Sequence, residues 1–206
     1  PTQTYSGQVA VNYGDTIDFV IGDGGNGREG PGKFDYLDLD ASIYIPATAS
    51  SPGEAKNQPD GTVVKITTPQ VVTAGSDVFG FSGDVYYIED ENRTSGIKVV
   101  PASAPASVAL GDRVTMTAEV KTDANGERML RVISLDSQIP GTPLDPVGMT
   151  GKATTVGLKT EGLLVKLWGN VTYSDLGGML YFYLDDGSGL QDGGVNSGIR
   201  VLIDGG

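Results

Sequence analysis

Two stretches of the chain carry the same wording. VYYIEDENRTSGIKVV (85–100) and YFYLDDGSGLQDGGVNSGIRVLI (181–203) both run aromatic–aromatic–aliphatic–acid–Asp, then a polar stretch, then Gly-Ile-(Lys/Arg)-Val. Period-two alternation on either side of an acidic, Gly-bearing break is the pattern of paired strands joined by a loop. A duplicated strand–loop–strand unit within 206 residues points to two small β modules.

The flanking sequence fills in the modules. YSGQVAVNY (5–13), GDTIDFVIG (14–22) and FDYLDLDASIYI (34–45) alternate in the same way, with DGGNGREGPGK (23–33) as a Gly-rich break. They predict an N-terminal segment of three strands over 1–46. PATASSPGEAKNQPDG (46–61) is polar and Pro-bearing, and reads as a connector and domain boundary. A first module then spans 62–140, with strands at 62–72, 79–90, 96–100, 112–121 and 128–135; Asn125-Gly126 marks a hairpin between the last two. Residues 141–162 read as a linker. After it the pattern restarts over 163–206: Val165-Lys166-Leu167 answers Val64-Lys65-Ile66, and further strands fall at 179–189 and 198–203.

Five strands in this order, with Gly111-Asp112 ahead of the fourth, resemble an OB-fold barrel, a five-stranded Greek-key sheet curled on itself. The wording IEDE…GIKV…GDRV resembles the OB-like domains found in tandem in secreted bacterial proteins. GDTIDFVIGDGGNG followed by DYLDLDASI is similar to the closing strands of jelly-roll β-sandwiches in bacterial carbohydrate-associated proteins. The expected architecture is all-β: tandem OB-like β-barrels, the second incomplete, plus an N-terminal β segment.

The second copy shows no counterpart of strands four and five. A sheet left at three strands presents unpaired backbone edges and an open core. Two explanations stay open. The sequence is a piece of a longer chain, as its start at Pro1 without a Met also suggests; or another subunit supplies the strands, with the N-terminal segment as natural donor. Incomplete β elements at both ends would allow head-to-tail polymerisation by strand addition.

Composition narrows the chemistry. The chain has no Cys and no His, which removes thiolate and imidazole metal sites and side chains titrating near neutrality. A formal charge of −12 opposes nucleic acid as a partner and favours divalent cations. No run approaches the roughly 18 apolar residues of a membrane span. With 31 Gly and many Thr and Asp, the chain reads as extracellular or surface-located.

Candidate calcium ligands are Asp23, Asn26, Asp35, Asp38, Asp40, Glu89, Asp90, Asp185, Asp186 and Asp192. None follows an EF-hand pattern, and Asp-Gly pairs also simply make turns. Tyr87, Trp168, Tyr181 and Tyr183 are candidate stacking platforms for sugars, or surfaces that pack against a neighbour. Glu89-Asp90 and Asp185-Asp186 are strand neighbours that point to opposite faces, so neither doublet suits a paired acid/base site, and no enzyme is expected. The sequence therefore predicts a structural subunit of an extracellular filament that polymerises with itself, with calcium at acidic loops. The alternative is an oligosaccharide-binding tandem module of a larger secreted protein.

Overall fold

A computed structural model describes residues 44–75, 85–101, 108–155, 157, 160–175, 177, 180–191 and 194–203. All of them lie in one compact unit that runs from Ile43 to Gly206. The expected strands at 5–13, 14–22 and 34–45 fall almost wholly outside the described residues.

The long strand β2 (Val63–Ala74) follows β1 (Ala47–Ala49) and the short helix α1 (Pro52–Lys56). β3 (Tyr86–Glu89), β4 (Gly96–Val100), β5 (Arg113–Thr122) and β6 (Arg128–Ile139) come next. Their sheet order is β1-β2-β3-β4-β6-β5, and a further β2–β5 pairing closes the last five into a barrel. β2 takes part on both sides because it bends: its register against β5 shifts between Ile66 and Gln70, across Thr67, Thr68 and Pro69. Proline cannot donate to a ladder, so it suits a break of this kind. The Asp123–Glu127 turn joins β5 to β6, and β6 runs parallel to β4 (Val99 opposite Leu130). This is the all-β barrel expected from the alternation, compatible with an OB-like form.

Inward residues of every strand seal one core. Val64, Ile66, Val72, Ile88, Ile97, Val99, Val114, Met116, Ala118, Val120 and Leu130 are fully buried. Each sealed Val, Ile, Leu or Met contributes about 1.5–3 kcal/mol by burial.

The two connectors hold structure. Ala49 of β1 and Ala55 of α1 belong to the first core, and β1 pairs in parallel with β2 (Ala47 opposite Val64). The boundary expected over 46–61 is therefore displaced, and 47–56 belong to the first barrel. The linker expected over 141–162 contains β7 (Val147–Gly148) and the short helix α2 (Gly151–Thr154). β7 pairs in parallel with β8 (Val165–Lys166), as β1 does with β2. Ser51 and Thr150 cap the two helices, each side-chain oxygen accepting from the third residue on. The repeat thus begins ahead of the strands that announce it, at β1 sixteen residues before β2 and at β7 eighteen residues before β8.

β9 (Asn170–Asp175), β10 (Tyr181–Asp185) and β11 (Ile199–Leu202) then form an antiparallel sheet in the order β11-β10-β9. They stand where β2, β3 and β4 stand in the first copy. What the first copy writes as one bent strand is broken here into β8 and β9 at Leu167–Gly169. Gly169 is needed at that break, since a Cβ there would lie 2.4 Å from the Asp185 carbonyl oxygen.

Candidate functional site

The two faces of the β9–β10–β11 sheet differ in chemistry. Phe182 lies opposite Ser174 and Val201, and Leu184 lies opposite Val171 and Ile199. Directly opposed residues of antiparallel strands share a face, so Val171, Phe182, Leu184, Ile199 and Val201 form one apolar surface. Their counterparts in the first copy are Val72, Tyr86, Ile88, Ile97 and Val99, all sealed in the barrel core. Here the same positions are open: Val171 is 60% exposed, and the other four are half-buried. The difference lies in β5 and β6, which close the first barrel between β2 and β4. Among the described residues, no strand joins β9 to β11.

The opposite face is aromatic. Tyr183 is opposed to Tyr173 on one side and Arg200 on the other, and Tyr181 to Asp175 and Leu202. The three tyrosine rings sit with centroids 5.9–6.2 Å apart, two of the pairs edge to face. The Arg200 guanidinium lies 6.0 Å from the Tyr181 ring centre. Of the expected stacking residues, Tyr181 and Tyr183 come together here. Tyr173 joins them although the sequence reading did not single it out; its place follows from a register shift between Tyr183 and Leu184. Trp168 is 63% exposed and lies over Gly148 of β7.

Tyr87 stands in the first barrel at the place Tyr183 holds in the second sheet. It is opposed to Lys98, as Tyr183 is to Arg200. The Tyr87 hydroxyl donates to Glu127 Oε1 at 2.7 Å, and burial, together with Glu127, pushes its pKa well above the usual phenol value. Lys98 Nζ reaches Asp123 at 3.0 Å and Glu127 at 3.2 Å. The β5–β6 turn thereby folds its two carboxylates onto the Tyr-Lys pair. Burial by itself would lower the Lys98 pKa, but the two carboxylates outweigh it and hold it above its ordinary value. The hydrogen bond from Lys98 holds the Asp123 carboxyl below its own.

The acidic doublets have local structural work. Asp90 accepts from Thr94 N (2.7 Å), Thr94 Oγ1 (2.7 Å), Ser95 N (3.2 Å) and Ser95 Oγ (2.9 Å). Ser95 Oγ in turn accepts from Gly53 N at the start of α1, at 2.9 Å. In the second copy the relay is direct: Asp186 accepts from Ser188 N at 3.0 Å and from Gly151 N, at the start of α2, at 2.7 Å. The nearby Ser188 hydroxyl, and then the Gly151 and Ser188 amides, hold the Asp186 carboxyl below the usual range. Asp185 accepts from Gly187 N at 2.9 Å. Glu89 is fully buried; its Oε1 accepts from Leu164 N, and its Oε2 has no hydrogen-bond partner among the described residues.

Leu164 belongs to a segment fastened along the first barrel. Glu161 accepts from Arg128 N at 2.8 Å through its side chain and from the buried Lys56 through its carbonyl. Thr73, Tyr87, Glu127 and Gly162–Leu164 line a cleft of about 250 Å³ beside it.

Of the other calcium candidates, Asp23, Asn26, Asp35, Asp38, Asp40 and Asp192 lie outside the described residues. Among the described residues, no three acidic side chains converge as a metal site requires, and no helix is long and apolar enough to cross a membrane. Comparison with protein-family models, with curated proteins and with solved structures gives no match.

Proposed function

We propose that this chain is a non-catalytic structural subunit of an extracellular assembly, built from OB-like modules, in which the β9–β11 sheet accepts strands from a neighbouring copy. Residues 1–46 of that neighbour are the donor, and repetition of the contact builds a head-to-tail polymer. One observation carries this reading: Val171, Phe182, Leu184, Ile199 and Val201 are open at positions that β5 and β6 seal in the first copy. The donor sequence suits the gap, since Leu37, Leu39 and Ala41 alternate with Asp38 and Asp40, and Ile17 and Phe19 flank Asp18 in an earlier apolar run that continues through Val20 and Ile21. Calcium at the acidic loops would offset part of the −12 charge that opposes assembly.

Electron microscopy and sedimentation of the full chain, with and without EDTA and with and without residues 1–46, test the proposal. Regular filaments that vanish on truncation and on chelation support it. Assembly that survives truncation overturns the donor assignment. A chain extended past Gly206 that stays monomeric, with the β9 and β11 amides protected from exchange, overturns the polymer.

The tyrosine cluster favours a second reading, an oligosaccharide platform on the other face of the same sheet. Glycan-array binding lost on Tyr181→Ala would favour that reading; an array without signal removes it.

A further inference from the structure

The entrances to the two modules are built alike, and only one of them is docked. Pro59-Asp60-Gly61-Thr62 and Thr160-Glu161-Gly162-Leu163 are four-residue turns, each closed by a hydrogen bond of 3.2 Å from the fourth amide to the first carbonyl. Each has a left-handed glycine in third place, Gly61 at φ +85° and Gly162 at φ +77°. Each leads into the strand that pairs with β1 or with β7. The second turn is seated on the first barrel: a Cβ on Gly162 would lie 2.9 Å from the Gly96 carbonyl carbon. Leu163 and Leu164 line one cleft with Thr73, Ala74 and Tyr87. A Cβ on Gly61, by contrast, would meet no described atom within 4 Å, and Pro59, Asp60 and Gly61 are exposed.

The second sheet carries the counterpart of the surface on which the docked turn sits. Tyr183 is opposed to Tyr173 as Tyr87 is to Ala74, and Thr172 and Thr73 stand at the adjoining register shifts. On this face Tyr173 is 42% exposed, Leu202 63%, and Arg200 is exposed too. Side-chain sizes are exchanged between the two places. In the docked junction the small Ala74 meets Leu163 and Leu164; the open face offers the large Tyr173, and the free turn carries the smaller Thr62 and Val63. Exchanges that conserve total volume are the ones a packed contact tolerates best. The charges match as well. Arg200 stands on the open face, and the Asp60 side chain of the free turn is 53% exposed beside its partner Arg128.

We infer that the Tyr173–Tyr181–Arg200 face receives the Pro59–Val63 turn of a second copy, so that the junction between the modules of one chain recurs between chains. The inference rests on the reading above that copies associate head to tail; which segment completes the β9–β11 sheet does not enter it. Tyrosine and arginine are the residue types that anchor protein interfaces, the rings by area and the guanidinium by its planar fork. Opposite charges at such a contact raise the rate of encounter and fix the register.

The chain has no Cys, so engineered thiols test this without background. The full chain carrying Thr62→Cys with Thr172→Cys is treated with a short bismaleimide at a concentration where sedimentation shows association. A ladder of covalent oligomers on a denaturing gel is expected, and none from either single variant. Leu163→Cys with Thr73→Cys, the same pair within the first junction, should instead give a bridged monomer by intact mass. Tyr173→Ser with Tyr181→Ser is expected to weaken association by about tenfold or more, with circular dichroism and urea unfolding reporting that the variant is folded. No ladder from a double-cysteine chain that associates, or tyrosine variants that associate as tightly as the parent, overturns the inference. Tyrosine variants that keep association but lose binding to a glycan array assign the face to sugars and overturn it too. Deletion of 1–46, run alongside, separates the readings. If deletion abolishes association while the tyrosine variant does not weaken it, only this inference falls. If association and the ladder survive deletion, the donor assignment falls and this contact stands. A parent that does not associate overturns both.

Discussion

Gly96 and Gly162 meet backbone to backbone: a Cβ on Gly96 would fall 2.2 Å from the Gly162 carbonyl oxygen. The contact presses the 160–164 segment onto the start of β4, and neither chain can withdraw without losing the Glu161 and Leu164 hydrogen bonds. Gly162 is itself left-handed, at φ +77°, so a side chain there is strained as well as crowded. Gly96→Ala is expected to cost about 1–3 kcal/mol through overpacking. It should also admit proteases between Thr160 and Leu164. Urea unfolding gives the first quantity and limited proteolysis the second.

Glu89 makes the same junction sensitive to pH. Burial raises its carboxyl above the ordinary value of 4.5, and the Leu164 amide offsets only part of the shift. The folded state then binds the proton more tightly than the unfolded one. The Glu89 contribution to stability is most favourable below the ordinary glutamate range and declines as pH rises from 4.5 through the raised folded value. Glu89→Gln keeps an acceptor for Leu164 N and removes the charge, so it should flatten that decline and match or exceed the parent at neutral pH. Glu89→Ala strands the amide and is expected to cost about 1–3 kcal/mol. Urea midpoints of the three proteins between about pH 4 and about pH 8 decide the matter; a parallel decline in Glu89→Gln would assign the effect to another group.

Equivalent positions in the two copies should tolerate charge very differently. Ile88 is sealed, and Ile88→Asp buries a carboxylate in an apolar core at a cost above about 4 kcal/mol. Leu184, its equivalent in the second copy, is half-buried on an open sheet. Leu184→Asp is therefore expected to cost the isolated chain less than about 1.5 kcal/mol while abolishing assembly. Thermal unfolding and sedimentation measured on both variants would show it. Equal destabilisation would mean that the second sheet is covered in the free chain.

Asp90 carries four hydrogen bonds from two residues, so its loss should be felt at a distance. Asp90→Ala leaves Thr94 and Ser95 without their acceptor and loosens the Ser95–Gly53 contact that holds α1. The expected cost is about 2–4 kcal/mol. Asp90→Asn, which keeps one acceptor oxygen, should recover about half of it. Amide exchange at Gly53 and Glu54 is the readout that separates this relay from a general loss of stability.

Much of this arrangement was legible before any coordinates. The strands of both copies announce themselves by alternation, and the shared wording placed Tyr87 and Tyr183 at one position and Lys98 and Arg200 at another. That no described strand joins β9 to β11 agrees with what counting strands in the second copy predicts. The tasks of the doublets were not legible, because Asp186 meets Gly151 across 35 residues that carry no common pattern. Nor were β1 and α1. Three and five residues of Ala, Thr, Pro, Gly, Glu and Lys have no usable period. They are fixed by tertiary contacts such as Gln70 Nε2 to Ser50 O at 3.0 Å. Tyr173 escaped because a one-residue register shift decides which face it takes.

The early start of each repeat has a practical side for anyone who wishes to study one module alone. A fragment cut at Thr62, where the obvious strands begin, would lose the strand that covers the outer half of β2 and two alanines from the interior. It would also leave Gln70 Nε2 without the Ser50 carbonyl. Beginning at Tyr44 keeps these contacts in place. For the second module the corresponding cut lies ahead of Val147, so that α2 travels with the aspartate that holds it.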